Sequence, residues 1–422
     1  MNIRKKAGGV VGVVAMASIV ALAVSGCSTR GGGGGEDGGD GAAASPGITD
    51  ESITLGVTTP LSGPTAGPGT CTVAGLEAYM GAANADGGIE FGDGQTREVE
   101  IKTYDDTYDP QKALANFQQM VSDEVFAATS GLGTPTNRAW REAAIDEEFP
   151  QVLIMTGDPL FSNQEESPWS LGFVPVYQNE GAAFGELLAA SGADHKVAIL
   201  SQNDDYGDGY VEGFKEAIEG ADNIEVVGEL TYEATDTSVD AQLTELAATG
   251  ADVFFNAMSI TPLVISSLQK AQQIGWLPSW FLPSNTSSPT AILEPGGGAA
   301  FPGIYSVSFS KAPQSPAFAE DEDVVKFLSD LKEYGNYPDM PAFPHCMWSY
   351  MIGATLQEAF ENMEEPTRES FMESLRNISD LQAPLMLEGT AVNTTEDGQP
   401  AVSTVIVQKY NGRGYDTAEN FG

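Results

Sequence analysis

From Ile53 onward, short runs of strand-forming residues alternate with helical segments, and this rhythm leaves few folds open. Ile53–Val57 alternates as a strand, Thr58–Pro64 is turn-rich, and Val73–Ala85 reads as helix. Val99–Tyr104 is the next strand, with Asp105 and Asp106 at its end. Pro110–Asp123 is a helix carrying Leu114, Phe117 and Val121 on one face. Val125–Thr129 and Val152–Met155 are the third and fourth strands. The pattern loosens between Phe161 and Val174, and a second set then begins. Its strands are Val197–Leu200, Ile224–Leu230, Val253–Phe255 and Trp280–Leu282; its helices are Phe184–Ala190, one ending at Ile218, Val239–Ala248 and Pro262–Ile274. Strand–helix alternation of this kind builds a mostly parallel sheet covered on both faces. The chain is therefore α/β with two units of similar size and no internal repeat visible in the letters. The remainder has strands at Ile304–Phe309 and Val402–Tyr410 and helices at Val324–Tyr334, Cys346–Phe360 and Arg368–Ile378. These pieces finish the two units, so the chain crosses between them more than once.

The stretch Val125–Glu148 is the first candidate for a binding site. Gly131-Leu132-Gly133 turns the backbone tightly, Thr134 suits an N-cap, Pro135 suits the first helical position, and Ala139–Glu148 reads as helix. A helix start of this type attracts anionic groups, carboxylates included, through unpaired N–H donors and its dipole. An ordinary strand–helix turn accounts for the same letters. In open α/β sheets, ligands lie beyond the carboxyl ends of strands, and two such units facing each other leave a cleft between them. The loops after Thr129, Met155, Leu200, Phe255 and Leu282 are then expected to converge.

Arg4-Lys5-Lys6 and the apolar Val10–Val24 have the order of an export signal. Val24-Ser25-Gly26-Cys27 resembles the lipobox of bacterial lipoproteins, in which the cysteine is acylated. Ser28–Gly47 is a glycine-rich acidic run suited to a flexible tether spanning roughly 25 Å. Sixty acidic against 19 basic residues give a net charge of −41, which argues against nucleic-acid or anionic-membrane binding.

Most catalytic chemistry fails on inspection. There is no G-x-S-x-G, no H-E-x-x-H and no Gly-Lys pair for a phosphate loop. Gly131–Thr136 lacks the third glycine of a dinucleotide fingerprint, so no cofactor is expected. His195 and His345 are the only histidines and lie far apart, so no Cys/His metal site is expected. Asp204–Gly209 starts like a calcium loop, but Tyr206 and Lys215 stand where ligands belong. Asp105-Asp106 and Asp204-Asp205 could form a carboxylate pair for an extracytoplasmic hydrolase, although adjacent acids at strand ends are more often solvated loop residues. Cys71 and Cys346 either pair, as exported cysteines often do, or remain buried thiols.

With these residues in view, the chain resembles the branched-chain amino-acid (Leu/Ile/Val) binding lipoproteins of ATP-driven (ABC) importers. The resemblance runs from about Ile53 to about Tyr410. It is carried by Leu61-Ser62-Gly63-Pro64, Tyr104-Asp105-Asp106, Leu132–Asn137, Pro168–Gly172, Gln202–Gly207 and Gly250–Phe255, whose order and spacing are specific together. It implies a two-lobed periplasmic-binding-protein clamshell of type I with three crossovers. Residues 48–175 and 308–404 would form lobe I, and 176–307 with 405–422 lobe II, after a leader at 1–27 and a tether at 28–47. Carried onto this chain, the ligand contacts are Gly133, Thr134, Thr156, Gly157 and Asp158 on the first lobe. Tyr206 would close over the ligand and His345 would line the pocket, while Cys71 and Cys346 near the cleft favour a disulfide.

Three positions depart from the family. The place where members that take aliphatic amino acids carry an acid falls at about Ser284-Asn285, a tyrosine of the first loop is replaced near Pro68, and Tyr108 stands in place of a cysteine near Asp109. Asp158 or Asp204 could then pair a ligand ammonium, or the ligand lacks one. The expected function is a non-enzymatic receptor that delivers a small carboxylate-bearing metabolite, an amino acid in the first instance, to permease subunits with their ATPases. It would be held to the outer face of the cell membrane by lipidated Cys27 alone. A ligand-sensing module of the same fold is the alternative.

Overall fold

The computed structural model describes residues 43–422, so the expected leader, Cys27 and the expected tether up to residue 42 lie outside the described residues. Two sheets organise the rest. The first has the order β2-β3-β1-β4-β5-β6. It is built from β1 (Ser52–Thr59), β2 (Ile89–Glu90), β3 (Thr96–Asp105), β4 (Ala127–Thr129), β5 (Gln151–Ile154) and β6 (Ser170–Gly172). Only β2 runs antiparallel to its neighbour. The helices α1 (Ala66–Ala85), α2 (Pro110–Ser122) and α3 (Thr134–Asp146) connect these strands. Parallel strands need such crossovers, which explains the rhythm read in the sequence.

The second sheet has the order β13-β12-β11-β10-β9-β7-β8. Its strands are β7 (His195–Gln202), β8 (Ile224–Tyr232), β9 (Val253–Ala257), β10 (Ser279–Phe281), β11 (Ile304–Ser308), β12 (Ile406–Tyr410) and β13 (Tyr415–Thr417). Its helices are α4 (Tyr177–Ala190), α5 (Asp205–Ala217), α6 (Asp240–Ala247), α7 (Thr261–Gln273) and the single turn α8 (Glu294–Gly296). The strands β7–β11 are parallel, and β12 and β13 form an antiparallel edge. Successive side chains in a strand point to opposite faces. Accordingly Phe254, Trp280 and Leu200 join one core, while Phe255, Phe281 and Ile199 join the other.

Between β11 and β12 the chain returns to the first sheet. There α9 (Glu322–Glu333), α10 (His345–Glu361) and α11 (Arg368–Leu375) cover it. Leu331, Met351, Leu356 and Phe371 share one core with Leu55 and Val57 of β1 and Leu76 of α1. The chain therefore passes between the sheets three times, after β6, after β11 and before β12. This is the two-lobed type I clamshell. Cys71 of α1 and Cys346 of α10 are joined by a disulfide.

Several helix starts differ from the sequence reading, that of α5 among them, which begins at Asp205. Helix α1 begins at Ala66, ahead of Val73, because Gly67, Pro68 and Gly69 are helical. Proline is tolerated in a first turn. A Cβ on Gly69 would lie 1.9 Å from the Pro60 carbonyl, so the glycine permits a close approach. Helix α4 begins at Tyr177, two turns ahead of Phe184. In α3 the N-cap is Gly133, and Thr134 is the first helical residue instead of the cap. Gly133 adopts φ +101°, a conformation costly for any residue with a Cβ. Thr134 is thus free to turn its hydroxyl elsewhere.

Candidate functional site

A cavity with about 560 Å³ of empty space, merging with solvent, opens between the two sheets. Thr65 and Pro68 from the start of α1 line it, with Leu132 and Gly133 before α3, Met155 after β5, and His345 and Trp348 from α10. Across from them stand Glu180 of α4, Tyr206 and Tyr210 of α5, Ser259 after β9, and Ser284 and Asn285 after β10. These are the strand ends expected to converge. Tyr108, Val174 and Tyr177 complete the wall.

Several predicted contacts sit one layer behind that wall. The hydroxyls of Thr134, Thr156 and Tyr177 form a buried triangle, with sides of 2.8, 3.0 and 3.1 Å. Thr134 and Thr156 are not in the cavity wall; they fix the Tyr177 ring that is. Gly157 supports the same ring. Its carbonyl accepts the Tyr177 N–H at 3.0 Å, and a Cβ there would lie 2.6 Å from the ring. The N–H of Gly133 turns to the Met155 carbonyl at 3.4 Å.

The two candidate acids are engaged elsewhere. Asp158 is buried and takes two bonds from Arg138, at 2.5 Å from Nε and 3.1 Å from Nη2. Such a bidentate pair leaves little acceptor capacity. Arg138 also reaches Asp205 at the start of α5, 3.1 Å away, linking the two sheets' helices. Asp204 caps α5 through the Tyr206 N–H at 3.1 Å and accepts Gln202 Nε2 at 2.6 Å. Neither Asp158 nor Asp204 lines the cavity. The Asp105-Asp106 pair is likewise absorbed by its loop. Asp105 accepts from Ser62 and from the Leu61 N–H, and Asp106 from Thr58 and from the Tyr108 N–H.

Tyr206 and His345 do reach the cavity. Tyr206 is buried, stands edge-on to Tyr177 at 4.8 Å, and has its hydroxyl 3.1 Å from Asn285 Oδ1. His345 opens α10 and lies 4.9 Å from the Trp348 ring. Burial pushes its imidazole down to about 3, so it is neutral.

Sequence reading missed the most unusual wall residue, Glu180, which is 2% exposed. Its Oε1 accepts the Ser284 hydroxyl at 2.7 Å; its Oε2 accepts the Tyr210 hydroxyl at 2.9 Å and the Ser284 N–H at 3.0 Å. Burial raises the carboxyl to about 7. Glu180 thus stands beside Ser284-Asn285, where the resemblance expects an acid. Thr65 and Trp348 were missed as well. Their Oγ1 and Nε1 atoms, and His345 Nδ1, are buried without a hydrogen-bond partner in the protein. Other buried side chains away from the cavity share this condition, Trp140 and Trp280 among them, but Thr65, His345 and Trp348 are all residues of the cavity wall. Among the described residues no cluster of His, Cys, Asp and Glu could hold a metal ion, and no helix is long and apolar enough to cross a membrane.

Two lobes joined by three crossings, with an interlobe cavity of polar and aromatic walls, define a solute-binding clamshell. Residues 52–414 match the periplasmic binding protein family, and the chain belongs to it. Members of this family bind solutes and are not enzymes. Leu/Ile/Val-binding protein homolog 3 of Brucella melitensis is 28% identical over 48% of this chain and 53% of its own length. The chain thus spans about half the length of that curated relative. A fatty acid ABC transporter substrate-binding protein from Thermomonospora curvata superposes with a TM-score of 0.75 at 22% identity, covering 90% of this chain and 96% of that one. A solute-binding protein of an ABC transporter from R. palustris, in complex with benzoate, gives a TM-score of 0.71 at 17% identity, covering 87% and 95%.

Proposed function

We propose that this protein is the extracytoplasmic receptor of an ABC importer. It closes residues 48–175 with 308–404 against 176–307 with 405–422 on a small carboxylate-bearing metabolite, an amino acid in the first instance. The observation that carries the reading is the trio of unpartnered buried atoms at Thr65, His345 and Trp348. The Thr65 hydroxyl and the Trp348 indole are donors suited to a carboxylate. The ligands of the two structural neighbours, a fatty acid and benzoate, also carry one. Ligand favours the closed arrangement because only there do both walls touch it. Acylation of Cys27 would keep the receptor beside permease subunits and their ATPases. Thr134, Thr156 and Gly157 act through Tyr177, and Tyr206 contacts the ligand from the second lobe.

A thermal-shift screen of amino acids and small organic acids on the full chain tests this. A true ligand at about 100 times its Kd stabilises the protein by roughly 2.7 kcal/mol. Tyr206→Ala should abolish the shift while the unliganded protein still melts cooperatively. A ligand shift unchanged in that variant would remove Tyr206 from the site.

A further inference from the structure

Resting on the receptor reading above, we infer that Glu180 anchors a positively charged nitrogen on the ligand, so that the site selects ammonium-bearing solutes over nitrogen-free acids. Glu180 lines the cavity, and no lysine or arginine does. Every protein group that touches it is neutral: the Ser284 hydroxyl and N–H, and the Tyr210 hydroxyl. An ionised carboxylate presents about four lone-pair directions, of which these donors take three. A buried carboxylate without a cation is costly, and one facing a binding cavity is relieved when a cation enters.

The surroundings agree. Tyr177 and Tyr206 line the same cavity, 4.8 Å apart and edge-on, and Tyr210 stacks on Tyr177 at 4.7 Å. Aromatic faces attract cations, most strongly where water is excluded. The opposite wall carries Thr65 and Trp348, whose free atoms suit an acceptor. The cavity is therefore polarised: donors on the α1 and α10 side, a carboxyl on the α4 side. A solute with an acceptor at one end and an ammonium at the other matches both walls. The remaining acids near the cleft offer no substitute, since Asp158 is held by Arg138 and Asp204 by Gln202 and the α5 start.

Matched ligand sets test the inference on the full chain at pH 7.5, by thermal shift followed by titration calorimetry. The probes are leucine and phenylalanine, their nitrogen-free counterparts 4-methylpentanoate and 3-phenylpropanoate, and the carboxylate-free amines isopentylamine and phenethylamine. We expect removal of the ammonium to weaken binding by about tenfold or more, the scale of a hydrogen bond to a charged group. Glu180→Gln should cost the ammonium-bearing probe a similar factor and leave the nitrogen-free acid unchanged. A nitrogen-free acid that binds the unaltered protein as tightly as its amino acid overturns the inference while the receptor reading stands. So does unchanged amino-acid affinity in Glu180→Gln. Failure of all six probes overturns the amino-acid reading and this inference with it. The comparison on the unaltered chain decides the matter even if the variant does not fold.

Discussion

His345 shows how one side chain ties stability to pH. It is neutral in the folded protein because burial holds it near 3, whereas in the unfolded chain it takes a proton below its ordinary value of 6.5. Its contribution is complete above pH 6.5 and is lost as pH falls towards 3. Between pH 7 and pH 5 that amounts to about 2 kcal/mol. Glu180 and Asp106 run the other way. Burial raises them to about 7 and about 6, so their contribution is present in acid and fades as pH rises through those values. In the unaltered protein the trends offset each other. The difference between unaltered protein and His345→Gln isolates one of them, and the variant should lose less stability than its parent between pH 7 and pH 5 in chemical denaturation. His345 and Tyr206 were legible in the sequence because the resemblance marks both positions. Thr134 was legible as a position but not as a role. Its hydroxyl meets Thr156 and Tyr177 from distant parts of the chain, and no local pattern shows who the partner is.

At the scale of elements, the contact between α1 and α10 depends on more than the disulfide. A Cβ on Gly75 would lie 2.1 Å from the Cys346 carbonyl, and one on Gly353 2.6 Å from Tyr79. The Cys71–Cys346 link closes 275 residues of separation. On chain-entropy grounds its removal costs roughly 2–5 kcal/mol. The double variant Cys71→Ser/Cys346→Ser should therefore melt several degrees lower and lose ligand affinity, because Pro68 and His345 flank the link and line the cavity. Unchanged affinity at the lower melting temperature would mean that α10 holds its place without the link. Strand positions were largely legible, because buried parallel strands are short apolar runs bounded by turns. Some helix starts were not, those of α1 and α4 above all. Glycines normally break helices, yet Gly69 and Gly181 lie inside α1 and α4 to let backbones approach, and Gly67 makes room for the Phe343 ring; a Cβ on Gly181 would lie 2.2 Å from the Tyr210 carbonyl. Helix α4 also begins after Val176, an N-cap residue that offers no side-chain cap. Only Pro175 and an acid in the first turn signalled it, and Glu180 was hidden as a result.

For the whole molecule, a net charge of −41 makes self-repulsion a standing cost of the compact state. Sodium chloride shortens the range of that repulsion to about 3 Å at 1 M. Calorimetry should accordingly show the melting temperature rising between 20 mM and 1 M salt. The Arg138–Asp205 link between the lobes should respond in the opposite sense. Both side chains are more than a third exposed, so the pair contributes at most about 1 kcal/mol and salt screens it. Asp205→Asn should weaken ligand binding by less than about fivefold at low salt and leave it unchanged at 1 M. Two lobes and repeated crossings were legible from the order of elements alone. The antiparallel edge of β12 and β13 was half seen, with β13 too short to register.

That edge has a practical consequence. The strands that finish the second sheet are encoded after the helices that cover the first. No single cut in the gene therefore separates the halves, and a chimaera that exchanges one lobe with a homologue needs a junction at each of the three passages. A fragment ending before Ile406 would carry β11 with a naked border, ready to recruit a strand from a neighbouring copy.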